Sequence, residues 1–199
     1  MGIVSPGFSG RRRSAGEKLP PGQYLVNDFP VLSAGPTPRV DTGKWELRIT
    51  TETGQVHRWD WAAFQALPIE EPTVDIHCVT KWSKLATRWR GVSLDTLLAD
   101  VETSAGFAVA RSYGGYTTNL PLDDLQGGKA WVVWEHEDTP LPAEHGGPAR
   151  LLVPHLYFWK SAKWLAGLRL LDHDAPGFWE SLGYHNRGDQ WLEERYSGD

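Results

Sequence analysis

The sequence predicts an α+β domain that is rich in β-structure and has long ordered loops. Short runs that alternate apolar and polar residues recur along the chain, which is typical of half-buried strands. Fourteen prolines and 21 glycines favour many turns over a helix bundle. The 199 residues suffice for one domain with a substantial core, and 11 tryptophans supply much of its apolar area.

The N-terminal half is predicted as an arm, a loop, a hairpin, a short helix and a further strand. The arm, residues 1–22, is polar and rich in glycine and proline, and the domain proper would be 23–199. Asp60 is suited to cap the helix, and Pro68 would close it. The predicted ranges are 24–40 for the loop, 44–50 and 55–59 for the hairpin, 61–67 for the helix and 73–79 for the strand.

The C-terminal half is predicted to alternate strands with loops and to end in a helix. Ser93 is suited to cap a helix at 94–101, and the proline at 176 would begin the terminal helix at 176–184. A bulge is expected at Gly167 in the last strand. The predicted strands are 106–112, 129–135, 149–154 and 161–172, with an extended segment at 113–122 and a short helical turn near 121–125.

Composition excludes several classes of protein. A formal net charge of −5 argues against a nucleic-acid-binding protein. No run of about 20 apolar residues occurs, so no membrane span is expected. The N-terminal residues lack the apolar core of a secretory signal, and one cysteine cannot form an internal disulfide. We therefore expect a soluble cytoplasmic protein.

Cys78 is the only cysteine and is predicted to lie at the end of a strand. His77 precedes it, and Lys81 and Arg88 follow within a short span. Positive neighbours favour the thiolate, which can act as a nucleophile or as a ligand for a soft metal. The alternative is a buried structural thiol. Zinc is disfavoured because the sequence has no cysteine or histidine spacing typical of a zinc site.

Two further segments carry groups that could bind a ligand. Residues 144–164 combine a glycine-rich turn with Arg150, Ser161 and Lys163, a set that can bind phosphate or another anion. The alternative for this segment is a solvated strand end with surface lysines. In residues 110–125, a Gly-Gly pair beside Ser112 and Tyr113 could let the backbone approach a ligand closely. The alternative there is a hairpin turn.

Taken together and in order, four segments resemble the oxidoreductase molybdopterin-binding domain of the sulfite oxidase family. The resemblance spans about residues 20–185. Within the family, the sequence most resembles the small sulfite oxidase-like proteins and the catalytic subunit of bacterial protein-methionine-sulfoxide reductase. It implies a β-rich fold of the sulfite oxidase type. The segments are "NDFPVLSAGPTP", "HCVTKWS" followed by "WRGV", "SYGGYTTNLPLDDL" and "GGPARLLVPHLYFWKSAKW".

The resemblance implies a mononuclear molybdenum held by the dithiolene of molybdopterin and by the thiolate of Cys78. Tyr113, Lys81 and Arg88 are expected beside the metal as catalytic residues, and His77 and His155 are expected in the pocket. The positions that correspond to cofactor-binding residues of the family are Asn27, Pro30, Val31, Ser112, His145, Arg150, Ser161, Ala162 and Lys163.

Two departures from the family pattern bear on the substrate. Sulfite oxidases carry one arginine just before the position of Asn27 and another five residues after the cysteine. Here these positions are Val26 and Ser83. The expected reaction is therefore oxygen-atom transfer, as the reduction of an S- or N-oxide, on a small-molecule or sulfoxide substrate rather than on sulfite. An external flavin or iron–sulfur reductase is expected to supply electrons.

Two alternatives remain open from the sequence. One is a metal-free thiol enzyme that uses Cys78 with a histidine. The other is a non-catalytic module that binds a pterin or another anion.

Overall fold

The computed structural model describes residues 18–199, so most of the predicted arm at 1–22 lies outside the described residues. The described chain forms two β-sheets with two short helices, α1 (Trp61–Gln65) and α2 (Leu94–Leu98). The β-rich α+β prediction is confirmed. The strands are β1 Tyr24–Leu25, β2 Glu46–Thr50, β3 Val56–Asp60, β4 Thr73–His77, β5 Trp82–Ser93, β6 Phe107–Ser112, β7 Thr117–Pro121, β8 Trp131–His136, β9 Thr139–Pro140, β10 Arg150–Leu152 and β11 Leu165–Leu171.

The first sheet carries the candidate site. Its main order is β1-β5-β8-β10, with β4 paired to β5 and β9 paired to β8. Only β1 runs parallel to its neighbour, and the other pairs are antiparallel. The second sheet has the order β3-β2-β11-β6-β7, in which β11 is parallel to β2 and antiparallel to β6.

Most elements predicted from local patterns are confirmed. The hairpin of β2 and β3 forms, and Asp60 caps α1 by accepting a hydrogen bond from the Ala63 amide at 2.8 Å. Ser93 caps α2 in the same way, with Thr96 as the donor at 3.2 Å. The register of β11 against β6 shifts just before Gly167, so the expected bulge is present.

The short strands β1 and β9 lie in segments predicted as loops, and residues 161–164 of the last predicted strand are not part of β11. Two larger features of the fold were also predicted incorrectly. The predicted helix at 176–184 is wrong, because the structure has only a 3-10 turn at Glu180–Leu182, closed by Gly183 with φ of 99°. The twelve-residue strand β5 was not predicted. Its apolar alternation is interrupted because Ala86 has a φ of 51° and the register against β8 shifts between Arg90 and Gly91.

The first sheet separates two buried clusters. Successive side chains of a strand point to opposite faces, so Val132 packs in the large core shared with the second sheet, whereas Val133 packs in a smaller cluster. Cys78, Trp82 and Phe158 belong to that smaller cluster. The cysteine therefore lies on the face of the first sheet that is turned away from the main core.

Among residues 18–199, no helix has the length and apolar character needed to cross a membrane.

Candidate active site

A cavity of about 560 Å³ opens beside Cys78. Its walls come from the loop after β1, the turn after β4, the loop after β6, the loops on both sides of β10 and the C-terminal segment. The sequence-predicted residues that line it are Pro30, Cys78, His145, Arg150, Ser161, Ala162 and Lys163. Residues far apart in the sequence therefore meet around one space.

Cys78 lies in a tight turn between β4 and β5. The turn is closed by hydrogen bonds from the Cys78 amide to the Trp82 carbonyl and from the Lys81 amide to the Cys78 carbonyl, both at 2.9 Å. Gln23 donates to the same Cys78 carbonyl at 3.1 Å. Both backbone polar groups of Cys78 are therefore hydrogen-bonded, which holds the backbone of this turn in place.

Cys78 is 8% exposed, and its sulfur accepts a hydrogen bond from the Thr80 hydroxyl at 3.2 Å. Burial raises the pKa of the thiol, and the hydrogen bond from Thr80 lowers it in part. A buried thiol is a poor nucleophile unless something removes its proton, and a bound metal does so. This environment therefore fits a metal ligand better than a free catalytic thiol.

Arg150 joins the two loops that flank β10. Its side chain is buried, and its guanidinium donates hydrogen bonds to the His145 carbonyl at 2.8 Å and the Ser161 carbonyl at 2.6 Å. The guanidinium carbon lies 4.1 Å from the centre of the Phe158 ring. Because one side chain fixes both loops, Arg150 sets the shape of this wall of the cavity.

His145 presents a polar atom that has no protein partner. Its ring stacks on Phe29 with 3.9 Å between ring centres, and its Nδ1 is buried without a hydrogen bond among the described residues. Burial, with Arg150 nearby, lowers the pKa of His145 to about 4, so the ring is neutral at pH 7. A buried polar atom needs a partner, which a pterin bound in the cavity can supply to His145. The Ser112 hydroxyl is also buried without a hydrogen bond to a described residue, but Ser112 lies outside the cavity lining.

Lys163 and Gly146 pack closely against each other at the edge of the cavity. Gly146 has a φ of 110°, and a Cβ placed on it would lie 3.0 Å from the Lys163 Cα. The Lys163 ammonium donates to the carbonyls of Leu32 and Glu144, and burial lowers its pKa to about 8. This ammonium therefore links the loop after β1 to the loop before β10.

The protein groups described here fit a metal whose other sulfur ligands come from an organic cofactor. Between residues 18 and 199, no group of three or more His, Cys, Asp or Glu side chains is placed to hold a metal ion. Cys78 could thus supply one protein ligand beside a cavity large enough for an organic cofactor. This arrangement suits molybdopterin, whose dithiolene supplies the other sulfurs.

Several predicted residues lie outside the lining of the cavity. Tyr113 is 40% exposed, and its hydroxyl both accepts from the Glu46 amide and donates to the Glu46 carbonyl. The Arg88 guanidinium is exposed and paired with Glu137 and Asp138. Both side chains have local partners elsewhere on the surface.

The two predicted pocket histidines also point elsewhere. The His77 Nδ1 lies 2.8 Å from the Ser83 hydroxyl, and burial lowers the pKa of this histidine to about 4. The His155 Nε2 lies 3.1 Å from a carboxylate oxygen of Asp124. The remaining predicted residues outside the lining are Asn27, Val31, Lys81 and Ser112.

The "YFW" run at 157–159 indicated a walled site, but the sequence did not reveal most of the aromatic residues that line the cavity. We define the aromatic wall as Tyr116, Trp159, Phe178, Trp179 and Tyr184. Three of these residues lie within 176–184, where the density of aromatic side chains was a signal that the helix prediction obscured.

Comparison with known proteins agrees with this geometry. Residues 34–179 match the family described as oxidoreductase molybdopterin binding domain. An uncharacterized oxidoreductase of Bacillus subtilis, YuiH, is 40% identical over 197 residues, which covers 96% of this chain and 100% of that protein.

More distant relatives have names that state an activity. The protein-methionine-sulfoxide reductase catalytic subunit MsrP of Gluconobacter oxydans is 30% identical over 158 residues, covering 69% of this chain and 50% of that protein. The chain thus spans about half the length of MsrP. The sulfane dehydrogenase SoxCD of Paracoccus pantotrophus superposes with a TM-score of 0.62 at 17% identity, over 70% of this chain and 41% of that chain. That likeness concerns the fold alone.

The family match covers most of the chain and includes the cavity with Cys78, Arg150 and Lys163. The chain therefore belongs to the oxidoreductase molybdopterin-binding domain family, and it is a molybdopterin-binding oxidoreductase of the sulfite oxidase type that is related to MsrP.

Proposed function

We propose that the protein is a molybdenum–molybdopterin enzyme that reduces an S- or N-oxide by oxygen-atom transfer. The observation that carries this proposal is the single buried thiol of Cys78 beside a cavity that has no uncommitted cation among its described lining residues. The thiol provides the metal ligand, and the cavity is unsuited to an oxyanion such as sulfite.

The cationic residues of the lining are already engaged. Both terminal nitrogens of Arg150 donate to backbone carbonyls, and the Lys163 ammonium donates to two more. Their positive charge can still attract the cofactor phosphate at the edge of the cavity. A substrate oxyanion, however, would have to displace existing hydrogen bonds to be bound.

The two positions that carry arginine in sulfite oxidases are buried here. Val26 is 4% exposed and packs in the same cluster as Cys78. Ser83 is fully buried, with its hydroxyl hydrogen-bonded to His77 and to Gln23. Neither position offers a charged group to a substrate, which supports an uncharged oxide over sulfite.

In the proposed reaction, the oxide gains two electrons and two protons and yields the reduced sulfur or nitrogen compound and water. When bound, the cofactor supplies the two-electron redox chemistry of this exchange. Cys78 would hold the metal, while Arg150 and Lys163 fix the loops that hold the pterin. His145 would give the pterin a hydrogen-bond partner.

The electrons would come from an external flavin or iron–sulfur reductase, and we place the reaction in the cytoplasm. The relative MsrP, described as a protein-methionine-sulfoxide reductase catalytic subunit, supports sulfoxide as the class of substrate.

The metal-free thiol alternative fits less well. It needs a base within hydrogen-bond distance of the Cys78 sulfur. The contact described for that sulfur comes from Thr80, and the neighbouring His77 is bonded to Ser83 instead.

The test is reduction of methionine sulfoxide and of trimethylamine N-oxide by the purified protein, with dithionite-reduced viologen as electron donor. We expect turnover of at least one oxide, loss of turnover in Cys78→Ser, and no sulfite oxidation with ferricyanide as acceptor. Sulfite oxidation without oxide reduction would contradict the proposal. The non-catalytic module predicts no turnover in either direction and no Mo(V) signal in electron paramagnetic resonance.

A further inference from the structure

The aromatic wall is a continuous set of ring contacts. The Trp179 and Tyr184 rings stack with centres 5.0 Å apart, and Phe178 meets Trp179 edge to face at the same distance. Trp159 meets Tyr184 at 5.2 Å, and Tyr116 meets Phe178 at 6.1 Å. Five rings therefore form one surface on the cavity.

Two rings of this surface, Trp159 and Tyr116, are held in place by hydrogen bonds within the protein. The Trp159 indole donates to a Glu180 carboxylate oxygen at 2.9 Å, and the Tyr116 hydroxyl donates to the Trp159 carbonyl at 2.7 Å. The same Glu180 oxygen lies 2.6 Å from the Lys160 ammonium, with both side chains fully buried. Rings fixed in this way lose little conformational freedom when a ligand packs on them.

The wall nevertheless leaves apolar area open to the cavity. Phe178 is 40% exposed, and Trp179, Tyr116 and Tyr184 are only partly buried. A concave group of partly uncovered rings is a favourable site for another flat ring, because stacking adds to the gain from burial. A small aliphatic molecule would cover much less of this surface.

We propose that the preferred substrate carries an uncharged aromatic ring beside its oxide group, as in an aryl sulfoxide or a heteroaromatic N-oxide. The ring would pack on the aromatic wall while the oxide faces Cys78 across the same cavity. This inference rests on the proposed function and deepens it by naming the part of the substrate that is recognised away from the metal.

The preference has an expected size. Stacking and burial of one additional ring is worth about one factor of ten in affinity. We therefore expect the KM for methyl phenyl sulfoxide to be about tenfold below that for dimethyl sulfoxide. The KM for pyridine N-oxide should likewise lie below that for trimethylamine N-oxide.

The test compares these substrates in the purified holoenzyme with reduced viologen as donor. Phe178→Ala removes a ring that is already partly exposed and is not bonded to the buried Lys160–Glu180 pair. The matched control is Trp191→Ala, which removes an aromatic side chain that is 51% exposed and lies outside the cavity lining. Phe178→Ala should lower the ratio of the KM for dimethyl sulfoxide to the KM for methyl phenyl sulfoxide from about ten toward one. Trp191→Ala should leave this ratio unchanged.

Two outcomes overturn the inference. One is an equal KM for aryl and methyl sulfoxides in the wild type, and the other is an aryl preference that Phe178→Ala leaves intact. If no oxide is reduced, calorimetric titration of the wild type and of Phe178→Ala with methyl phenyl sulfide and with dimethyl sulfide tests the aromatic site independently of the reaction. Binding of the aryl sulfide that Phe178→Ala weakens would keep the aromatic site although the proposed reaction fails. No binding of the aryl sulfide would overturn the site as well.

Discussion

The Lys160 ammonium lies 2.6 Å from a carboxylate oxygen of Glu180, and both side chains are fully buried. The ammonium also donates to the Asn119 carbonyl at 2.7 Å, and the carboxylate accepts from Thr118 at 2.7 Å. Lys160 immediately precedes residues 161–163, which line the cavity, and Glu180 lies in the C-terminal segment. The pair therefore joins two walls of the cavity across β7.

Removing one member of this pair should destabilise the fold strongly. In Lys160→Met the Glu180 carboxylate stays buried without its cation, and a loss of about 3–5 kcal/mol in the free energy of unfolding is expected. Urea denaturation of the wild type and of Lys160→Met measures this loss in the free energy of unfolding. The control is Arg90→Met, whose ion pairs are exposed and 3.6–4.0 Å long, with an expected loss below about 1 kcal/mol. Equal losses in the two variants would argue against the structural role of the pair.

Arg150→Lys should remove the link between the two loops that flank β10 while keeping a positive charge. A lysine cannot reproduce the two divergent hydrogen bonds to His145 and Ser161. We expect a lower pterin content in the purified protein, read from the fluorescence of the oxidised pterin after release, with a circular dichroism spectrum close to the wild type. Arg90→Lys is the conservative control. Full pterin content in Arg150→Lys would show that these contacts are dispensable.

Gly146→Ala should impair the site through close packing as well as backbone strain. An alanine at a φ of 110° is strained, and its Cβ would also press on Lys163 at 3.0 Å. Gly54→Ala is a matched control, because Gly54 has a φ of 87° but open space around the added Cβ. Both variants should lose stability in thermal unfolding, whereas only Gly146→Ala should lose pterin. Equal pterin content in the two variants would show that the close packing of Gly146 against Lys163 is not needed to hold the pterin.

Asp124 makes stability depend on pH in the acid range. Burial raises its pKa, but hydrogen bonds from His155 and Arg187 outweigh this and lower the pKa from 3.8 to about 2. The folded state therefore binds this proton less readily than the unfolded state. The resulting stabilisation, about 2 kcal/mol, is present above about pH 4 and is lost as the pH falls toward 2.

Urea denaturation between pH 6 and pH 2 checks this dependence. The wild type should lose more stability over this interval than Asp124→Asn, which has no proton to bind at this position. Parallel pH profiles for the two proteins would contradict the assignment.

Local patterns predicted the elements whose side chains alternate regularly, such as the hairpin of β2 and β3. They failed for β5, where Ala86 adopts a positive φ and the register shifts, so no single period describes the strand. They also failed for 176–184, where the terminal segment follows the packing of Trp179 and the buried pairing of Glu180 rather than a helical period. Tertiary contacts decided both cases.

The candidate site was predictable in its chemistry but only partly in its geometry. Family motifs placed Cys78 and Arg150 among the expected residues, and both line the cavity. Sequence spacing does not determine where a side chain points, and Tyr113 and Arg88 turn out to bond to Glu46 and to Glu137 and Asp138. Most of the aromatic wall was missed because three of its rings lie within 176–184, which was predicted as a helix, and the other two come from distant segments.

We propose above all that Cys78 is the protein ligand of a molybdenum held with molybdopterin. Elemental analysis of the wild type and of Cys78→Ser, both purified from a host that makes the cofactor, tests this directly. We expect about one molybdenum per chain in the wild type and a large loss of metal in Cys78→Ser, with the fold and most of the pterin retained. A molybdenum content far below one per chain in the wild type, or an undiminished content in Cys78→Ser, would contradict it.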